Sequence, residues 1–523
     1  MKQRLLILLL LSTIISPLMN AMCATGCNIS AHTTLIPRRM SQNSVLELSL
    51  HDYYQYSFRD CGECPPNFFL EVTAPYFFKS TKSKKLASYF LPNCQNCVSI
   101  GENNSSDISS PWLQLSSRVA ATPYRSVVCL EPERKVIGGA LRFHVELNRI
   151  FENCGCLGEN WWFSVFIPIQ QVRHNIHITE TFVPGSPLSA ITGIPNAIVA
   201  FNNPAWNYGK WSPNTLRKTG IDDICVKIGN AFHKSRGHTD LYALLFIPTG
   251  SGTKAKYLFE PLVGSNHVGL GIGFNGDYIA YECDTSSINF MIDARYAYFL
   301  KHKETRSIDL FNGDLSRYLL VTPPPVVPPV VVTTLPGINY FTQEVDVKPQ
   351  GMFEIFAAVS FNQCDWSFEI GYDFWYRSKE KLKLADKDLG VGIFDIASRP
   401  PVCPVSASCA RICQAVPGVG APVSDTTFVT VKNSEAINDQ DLVRDGKKCC
   451  PTKCAAANQC SYLNLDSAAN PRAATSTIYA AIAHDCCCCD RTVMVGVGAQ
   501  YEFSHRRSAL SQFGVWLKSA LSF

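Results

Sequence analysis

The chain has 523 residues, a formal charge of only +4, 17% charged residues and 11% aromatics. That balance excludes a nucleic-acid-binding protein, which would show a dense basic patch, and leaves a chain with much apolar surface to bury in a core or in lipid. The 23 cysteines are many for this length and set the question of compartment.

The N-terminus answers it. Lys2 and Arg4 precede an apolar run from Leu5 to Ile15, too short to span a bilayer but suited to a secretory signal. Residues 1–24 are read as that signal, with cleavage near 21–24. Met22 directly before Cys23 does not fit a lipidation site. In an exported protein the cysteines are expected in disulfides. Nothing downstream offers about 18 uninterrupted apolar residues, so no transmembrane helix is predicted.

Residues 45–58 show a weak two-residue alternation through Leu46, Leu48 and Leu50, and 67–78 are strand-like. Residues 112–128 are ambiguous. From residue 140 the period of two is clean. Phe143 and its apolar partners alternate with Arg142, His144 and Glu146. Trp161, Phe163, Val165 and Ile167 form the next apolar face, although Pro168 lies in that run. Strands follow at 222–233 and 239–248. Val268 to Phe274 alternate with Gly269, Gly271 and Gly273, a glycine-lined face suited to close packing inside a barrel or to an open lumen. Phe290 and its neighbours alternate with Asp293 and Arg295.

The hairpin at 352–377 is the clearest. Phe353, Phe368, Ile370, Tyr372 and Phe374 define one face; Glu354, Glu369, Asp373 and Arg377 define the other. Strands are predicted around 476–484 and 493–504, where Val495 and Tyr501 oppose Glu502, and a final strand runs to Phe523. Several of these strands reach about 12 residues, beyond the usual 5–6 of soluble sheets and long enough to cross a bilayer.

The connections alternate. Short ones fall near 152–160, 234–238, 277–286, 362–365 and 485–490. Long ones are 173–221, 249–266, 301–351 (with a Pro-rich core at 322–332) and 378–475, which is rich in cysteine. Only 504–511 is short on the long side. Outer-membrane barrels have this asymmetry, with short periplasmic turns and long extracellular loops.

On those features the chain resembles bacterial outer-membrane β-barrel proteins of the porin type. The resemblance rests on the signal, the two-faced strands, the loop asymmetry and the terminal Phe523, and it covers roughly residues 45–523. It implies an all-β fold: a transmembrane, antiparallel, up-and-down β-barrel of about 12–14 strands as a single unit over 25–523. It also implies recognition of Phe523 by the barrel-assembly machinery, although Lys518 and Ser519 depart from the usual signal. The cysteine content is similar to that of cysteine-rich major outer-membrane proteins of some intracellular bacteria.

The site expectations follow from the two faces. Arg142, His144, Glu146, Asp293, Arg295, Glu354, Glu369, Asp373, Arg377 and Glu502 are assigned to the lumen. Phe143, Phe163, Phe290, Phe353, Phe368, Ile370, Tyr372, Phe374, Val495 and Tyr501 are assigned to lipid. Cys61, Cys64, Cys94, Cys97, Cys154, Cys156, Cys449, Cys450, Cys454 and Cys460 are disulfide candidates. The Cys61/Cys64 and Cys94/Cys97 pairs are spaced like halves of a zinc ribbon, but the exported context favours a bridge within or between these loops. Cys154, Cys156 and the run Cys486–Cys489 fall on short turns, where bridges to other envelope proteins are expected.

No Ser/His/Asp set supports catalysis, and His144 is read as a solvated lumen side chain, so neither enzyme activity nor a cofactor or metal is expected. The leading function is a porin-like channel for ions or small solutes in the outer membrane. One rival is a structural or adhesive surface protein using the barrel as an anchor. The other is a secreted soluble all-β protein.

Overall fold

The structure is a computed structural model that describes residues 31–50, 68–101, 106–115, 124–147, 160–184, 194–234, 236–283, 285–310, 314–322, 335–384, 392–394, 430–432, 460–488 and 491–522. Twelve long strands build it: β1 (Phe68–Ser80), β2 (Glu133–Glu146), β3 (Trp161–Asn175), β4 (Ile224–Lys234), β5 (Gly237–Ile247), β6 (Gly269–Cys283), β7 (Ser286–Phe299), β8 (Gln350–Gln363), β9 (Trp366–Arg377), β10 (Ala473–Cys488), β11 (Arg491–Ser504) and β12 (Gln512–Ser522). Each pairs antiparallel with the next in sequence. β12 returns to β1, with Ser522 opposite Phe69, and closes the ring. Closure leaves no unpaired edge in the ring, the condition a sheet must meet to sit in hydrocarbon.

The chain is therefore a closed, antiparallel, up-and-down β-barrel at the lower end of the expected strand count. Among the described residues no helix is long and apolar enough to cross a membrane, which leaves open a crossing by strands. Five hairpins, at 147–160, 235–236, 284–285, 364–365 and 489–490, lie at one end. The connections 81–132, 176–223, 248–268, 300–349, 378–472 and 505–511 lie at the other. The strands run further than the periodicity indicated, which shortens most of the turns. β3 continues through Pro168 to Asn175, and Pro168 sits at the point where its partner strand changes from β4 to a short strand, Leu216–Ile221. A proline costs little there, because its missing N–H falls at a break in the ladder.

The described parts of the long connections pack into a cap. Strands Cys97–Gly101, Arg125–Cys129 and Thr179–Phe182 pair side by side, and strands His302–Ser307, Thr342–Lys348 and Lys381–Lys383 make a second small sheet. The described residues of the ambiguous 112–128 region belong to a 3-10 turn, Ser110–Leu113, with the two residues after it, and to the strand Arg125–Cys129 with Tyr124 before it. A helix at Lys84–Phe90 starts where the Ser83 hydroxyl accepts a hydrogen bond from the Leu86 amide, satisfying one of the open donors of its first turn. Its buried face joins Trp206, Trp211, Phe201 and Tyr318 in an apolar cluster. Phe201 stacks on Trp211 with ring centres 4.0 Å apart, and the Trp211 indole donates to the Tyr318 hydroxyl at 2.6 Å.

Over its described residues, up to Leu50, the weak alternation at 45–58 does not form a strand. Ser44–Leu48 form a short helix, capped by the Asn43 side chain accepting from the Leu46 amide, and every residue of it is buried. Over five residues a helix and a strand expose similar apolar patterns, and Asn43 in the N-cap position was the discriminating signal.

Candidate functional site: the barrel lumen and its N-terminal plug

The two faces of each strand separate cleanly. On the outer wall Phe290, Phe368, Ile370, Val495 and Tyr501 are exposed, with Ile370 at 65%. Phe143, Phe163, Phe353, Tyr372 and Phe374 are half-buried among outward neighbours. Leu241, Leu270, Ile272 and Phe513 extend this apolar surface around the ring. In a water-soluble monomer so continuous an apolar belt is not expected; in a bilayer it matches the acyl chains.

Inside, the wall is polar but not empty. Aromatic side chains of one strand lie flat over glycines of the next. A Cβ on Gly273 would fall 2.2 Å from the Tyr242 ring, and one on Gly371 would fall 2.4 Å from the Tyr479 ring. That contact explains Gly273 and, under the Phe299 and Phe246 rings, Gly269 of the glycine-lined face: the missing side chains make room for inward aromatic slabs, which narrow the lumen.

The centre is occupied by residues 31–50. Ala31 and Leu35 pack into the cap cluster, Met40, Val45, Leu46 and Leu48 into the barrel interior, and Leu50 against Ala481, Ala483 and Met494 toward the short-turn end. The segment thus runs down the lumen. Its Arg38 guanidinium meets Glu354 of β8 and lies 2.7 Å from Asp373 of β9 and 3.6 Å from Glu502 of β11. Its Glu47 carboxylate lies 2.5 Å from Lys227 of β4 and 2.8 Å from Arg295 of β7. All of these side chains are buried. A buried charge without a counter-ion costs several kcal/mol, so wall and plug fix one another's position.

The plug backbone is held as well. Asp222 accepts from the Met40 amide at 2.7 Å, Glu354 from Ser44 at 3.0 Å and Glu369 from Leu50 at 3.0 Å. Arg377 donates to the Ile36 carbonyl at 3.0 Å, Arg142 to Glu47 at 3.2 Å and Lys518 to Ser49 at 2.8 Å. Lys518, out of place in an assembly signal, is buried and also pairs with Glu71 at 3.0 Å.

Of the remaining residues assigned to the lumen, Asp293 accepts from the Tyr242 hydroxyl at 2.8 Å. His144 stacks on Trp162 at 5.3 Å and is buried rather than solvated. Glu146 is half-buried at the short-turn end of β2. Sequence reasoning missed Lys227, Glu71, Lys518 and the whole plug.

The long-loop cap carries its own charged cluster. His267 lies 3.0 Å from Glu304, which also binds Arg306 at 2.7 Å, and Arg306 lies 3.4 Å from Glu380. Although burial opposes ionisation, Arg306 and His267 hold the Glu304 carboxyl well below the usual carboxylate range. Three connections are thereby tied together.

Cys97 is bonded to Cys129, directly opposite it in the cap sheet. The bridge expected within or between the Cys61/Cys64 and Cys94/Cys97 loops is not the one Cys97 makes, because the strand register sets Cys129 against it. Cys129 had not been singled out. Cys460 begins a short strand, Cys460–Asn464. Cys61, Cys64, Cys154, Cys156, Cys449, Cys450, Cys454, the Pro-rich core and Phe523 lie outside the described residues. Among the described residues no group of three or more His, Cys, Asp or Glu is arranged to hold a metal ion.

A closed antiparallel barrel, an apolar outer belt and a polar interior occur together. This is the fold of a bacterial outer-membrane β-barrel. No protein-family description and no curated protein matches the chain. Among solved structures, an outer-membrane channel from Pseudomonas putida F1 is 9% identical over 89% of this chain and 98% of its own, with a TM-score of 0.35. The transport unit of the autotransporter AIDA-I from Escherichia coli is 6% identical over 93% of this chain and 99% of its own, at 0.30. A Pseudomonas aeruginosa FadL homologue is 6% identical over 87% and 90%, at 0.26. At these scores the assignment rests on the closed barrel itself.

Proposed function

We propose that the chain is an outer-membrane channel, closed at rest by residues 31–50, that passes ions or small solutes when this segment yields. The observation that carries the reading is the mismatch between wall and filling. The plug is held by hydrogen bonds and ion pairs to a charged wall, whereas an inert filling would be served by apolar packing. A charged wall is what a hydrated path requires. The reading departs from a permanently open porin, because the plug occupies the axis.

In this account residues 1–24 direct export, the short turns face the periplasm, Phe523 is read by the barrel-assembly machinery, and the outer belt contacts outer-membrane lipids. Cys486–Cys488, expected on a turn, end strand β10 instead, and cysteines at this short-turn end of the barrel would bridge to other envelope proteins. Planar-bilayer recordings test the channel. Wild-type protein is expected to be nearly silent, and Arg38→Ala, which leaves Glu354, Asp373 and Glu502 without their shared cation, is expected to open it. Silence of Arg38→Ala, with the plug shown to be released by protease cleavage within 31–50, would refute the channel.

That result would leave the second reading, a surface anchor. The cap favours it: its aromatic cluster and its Glu304–Arg306–Glu380 network join the described parts of the long connections into a platform over the barrel.

A further inference from the structure

We propose that the lumen wall is a receptor for oligopeptides that carry a cationic side chain and, about nine positions further on, an acidic one. The chain's own residues 36–50 occupy that receptor at rest. The proposal deepens the channel reading by naming a substrate class, and its transport aspect rests on that reading.

Two features of the wall support it. The first is the set of six contacts to plug backbone. Asp222, Glu354 and Glu369 accept from amides, and Arg377, Arg142 and Lys518 donate to carbonyls. Such contacts read no side chain, so any peptide following the same path satisfies them. Spaced from Ile36 to Leu50, they follow a chain through the lumen rather than mark a point.

The second feature is the separation of charge around the ring. The acidic group is on β8, β9 and β11, where Glu354, Asp373 and Glu502 converge on Arg38. Arg142 on β2 and Lys227 on β4 lie on the opposite side of a twelve-stranded ring, beside Glu47. Arg295 spans the two groups, reaching Glu354 at 2.6 Å and Glu47 at 2.8 Å. With the plug withdrawn, the acidic group loses Arg38 and Glu354 keeps only Arg295, while Lys227 and Arg295 lose Glu47 and Arg142 keeps Glu71 at 3.8 Å. A simple ion satisfies one side only, and an uncharged sugar satisfies neither. A peptide with both charges satisfies both and replaces the backbone contacts, so it competes with the plug on equal terms.

The test uses the full chain with Arg38→Ala and Glu47→Gln, folded in detergent, and a fluorescent synthetic peptide with the sequence of residues 34–50. A second peptide carries the same two substitutions. Fluorescence anisotropy is expected to show the first peptide binding at least roughly tenfold tighter than the second, with the difference shrinking as salt rises. In bilayers the first peptide is expected to block the variant's current at correspondingly lower concentration. Equal binding of the two peptides, or binding of neither, overturns the proposal. If the double variant does not assemble, the single Glu47→Gln chain takes its place and is held to the same preference. The two readings fail separately. Current without peptide preference removes the receptor and keeps the channel. Selective binding without current in any released variant removes the channel and keeps the receptor.

Discussion

Ile370 and Glu369 are neighbours on β9 that point to opposite sides of the wall, and substituting each in turn tests the two-faced assignment. Ile370 is 65% exposed on the outer surface, near the middle of the strand, with Val359 and Ala480 as its cross-strand neighbours. Arginine there would place a charge in hydrocarbon, at a cost of about 2–4 kcal/mol near the bilayer midplane. Glu369 is 4% exposed and accepts from the Leu50 amide and, at 2.7 Å, the Tyr479 hydroxyl. Glutamine keeps a carbonyl acceptor for these donors, so Glu369→Gln is expected to cost about 1 kcal/mol or less. The assay is urea unfolding of each variant refolded into lipid bilayers, followed by the heat-modifiable shift on gels. Ile370→Arg should lower the unfolding free energy by several times the loss caused by Glu369→Gln. Equal losses, or a loss under about 0.5 kcal/mol for Ile370→Arg, would mean that the outer face does not meet lipid.

Three further outcomes follow from the cap and the plug. His32 stacks on Tyr89 at 4.9 Å, and burial pushes its imidazole down to about 4. Its contribution to holding the N-terminal segment is therefore complete above about pH 6.5 and is lost as pH falls toward 4, by up to roughly 3 kcal/mol. Nearby Asp309, raised by burial to about 6, acts in the opposite sense over an overlapping window, so the measurement is the difference in pH dependence of protease cleavage between wild type and His32→Gln. Replacing Cys97 and Cys129 by serine opens a loop with a sequence separation of 32. A loop of this length corresponds to about 3–4 kcal/mol in the chain-entropy estimate, so faster proteolysis within 97–129 is expected with the barrel intact. Gly273→Val would drive a side chain into the Tyr242 ring. A loss of several kcal/mol or failed assembly is expected in the same urea assay, whereas Gly276→Ala, with nothing nearer than 3.4 Å, should be tolerated.

The barrel was legible because its physics is local. A period of two, repeated in strands of 11–16 residues, announces a wall with two faces whatever lies beyond it. The alternation of short and long connections then gave the up-and-down order. What sequence could not deliver are contacts between distant positions. Arg38 meets Glu354, Asp373 and Glu502 across hundreds of residues, and nothing near Arg38 distinguishes it from a surface charge. Nothing in the sequence marks Tyr242, Tyr479, Trp162 and Trp516 as inward slabs until a glycine on the adjacent strand is seen beneath each. Lys518 read as a defect in the terminal strand until Glu71 was found beside it. Cys129 lies outside any pair motif, and strand register alone sets it against Cys97.

Hydrogen exchange of the plug amides, in wild-type protein reconstituted in bilayers, tests most directly that this barrel is closed by its own N-terminal segment. The amides of Met40, Ser44 and Leu50 donate to Asp222, Glu354 and Glu369 inside the lumen. They are expected to exchange as slowly as amides of β8 and β9, and to exchange much faster in Arg38→Ala while the strand amides stay protected. Exchange of these three amides at the rate of a free chain in the wild-type protein would contradict the account.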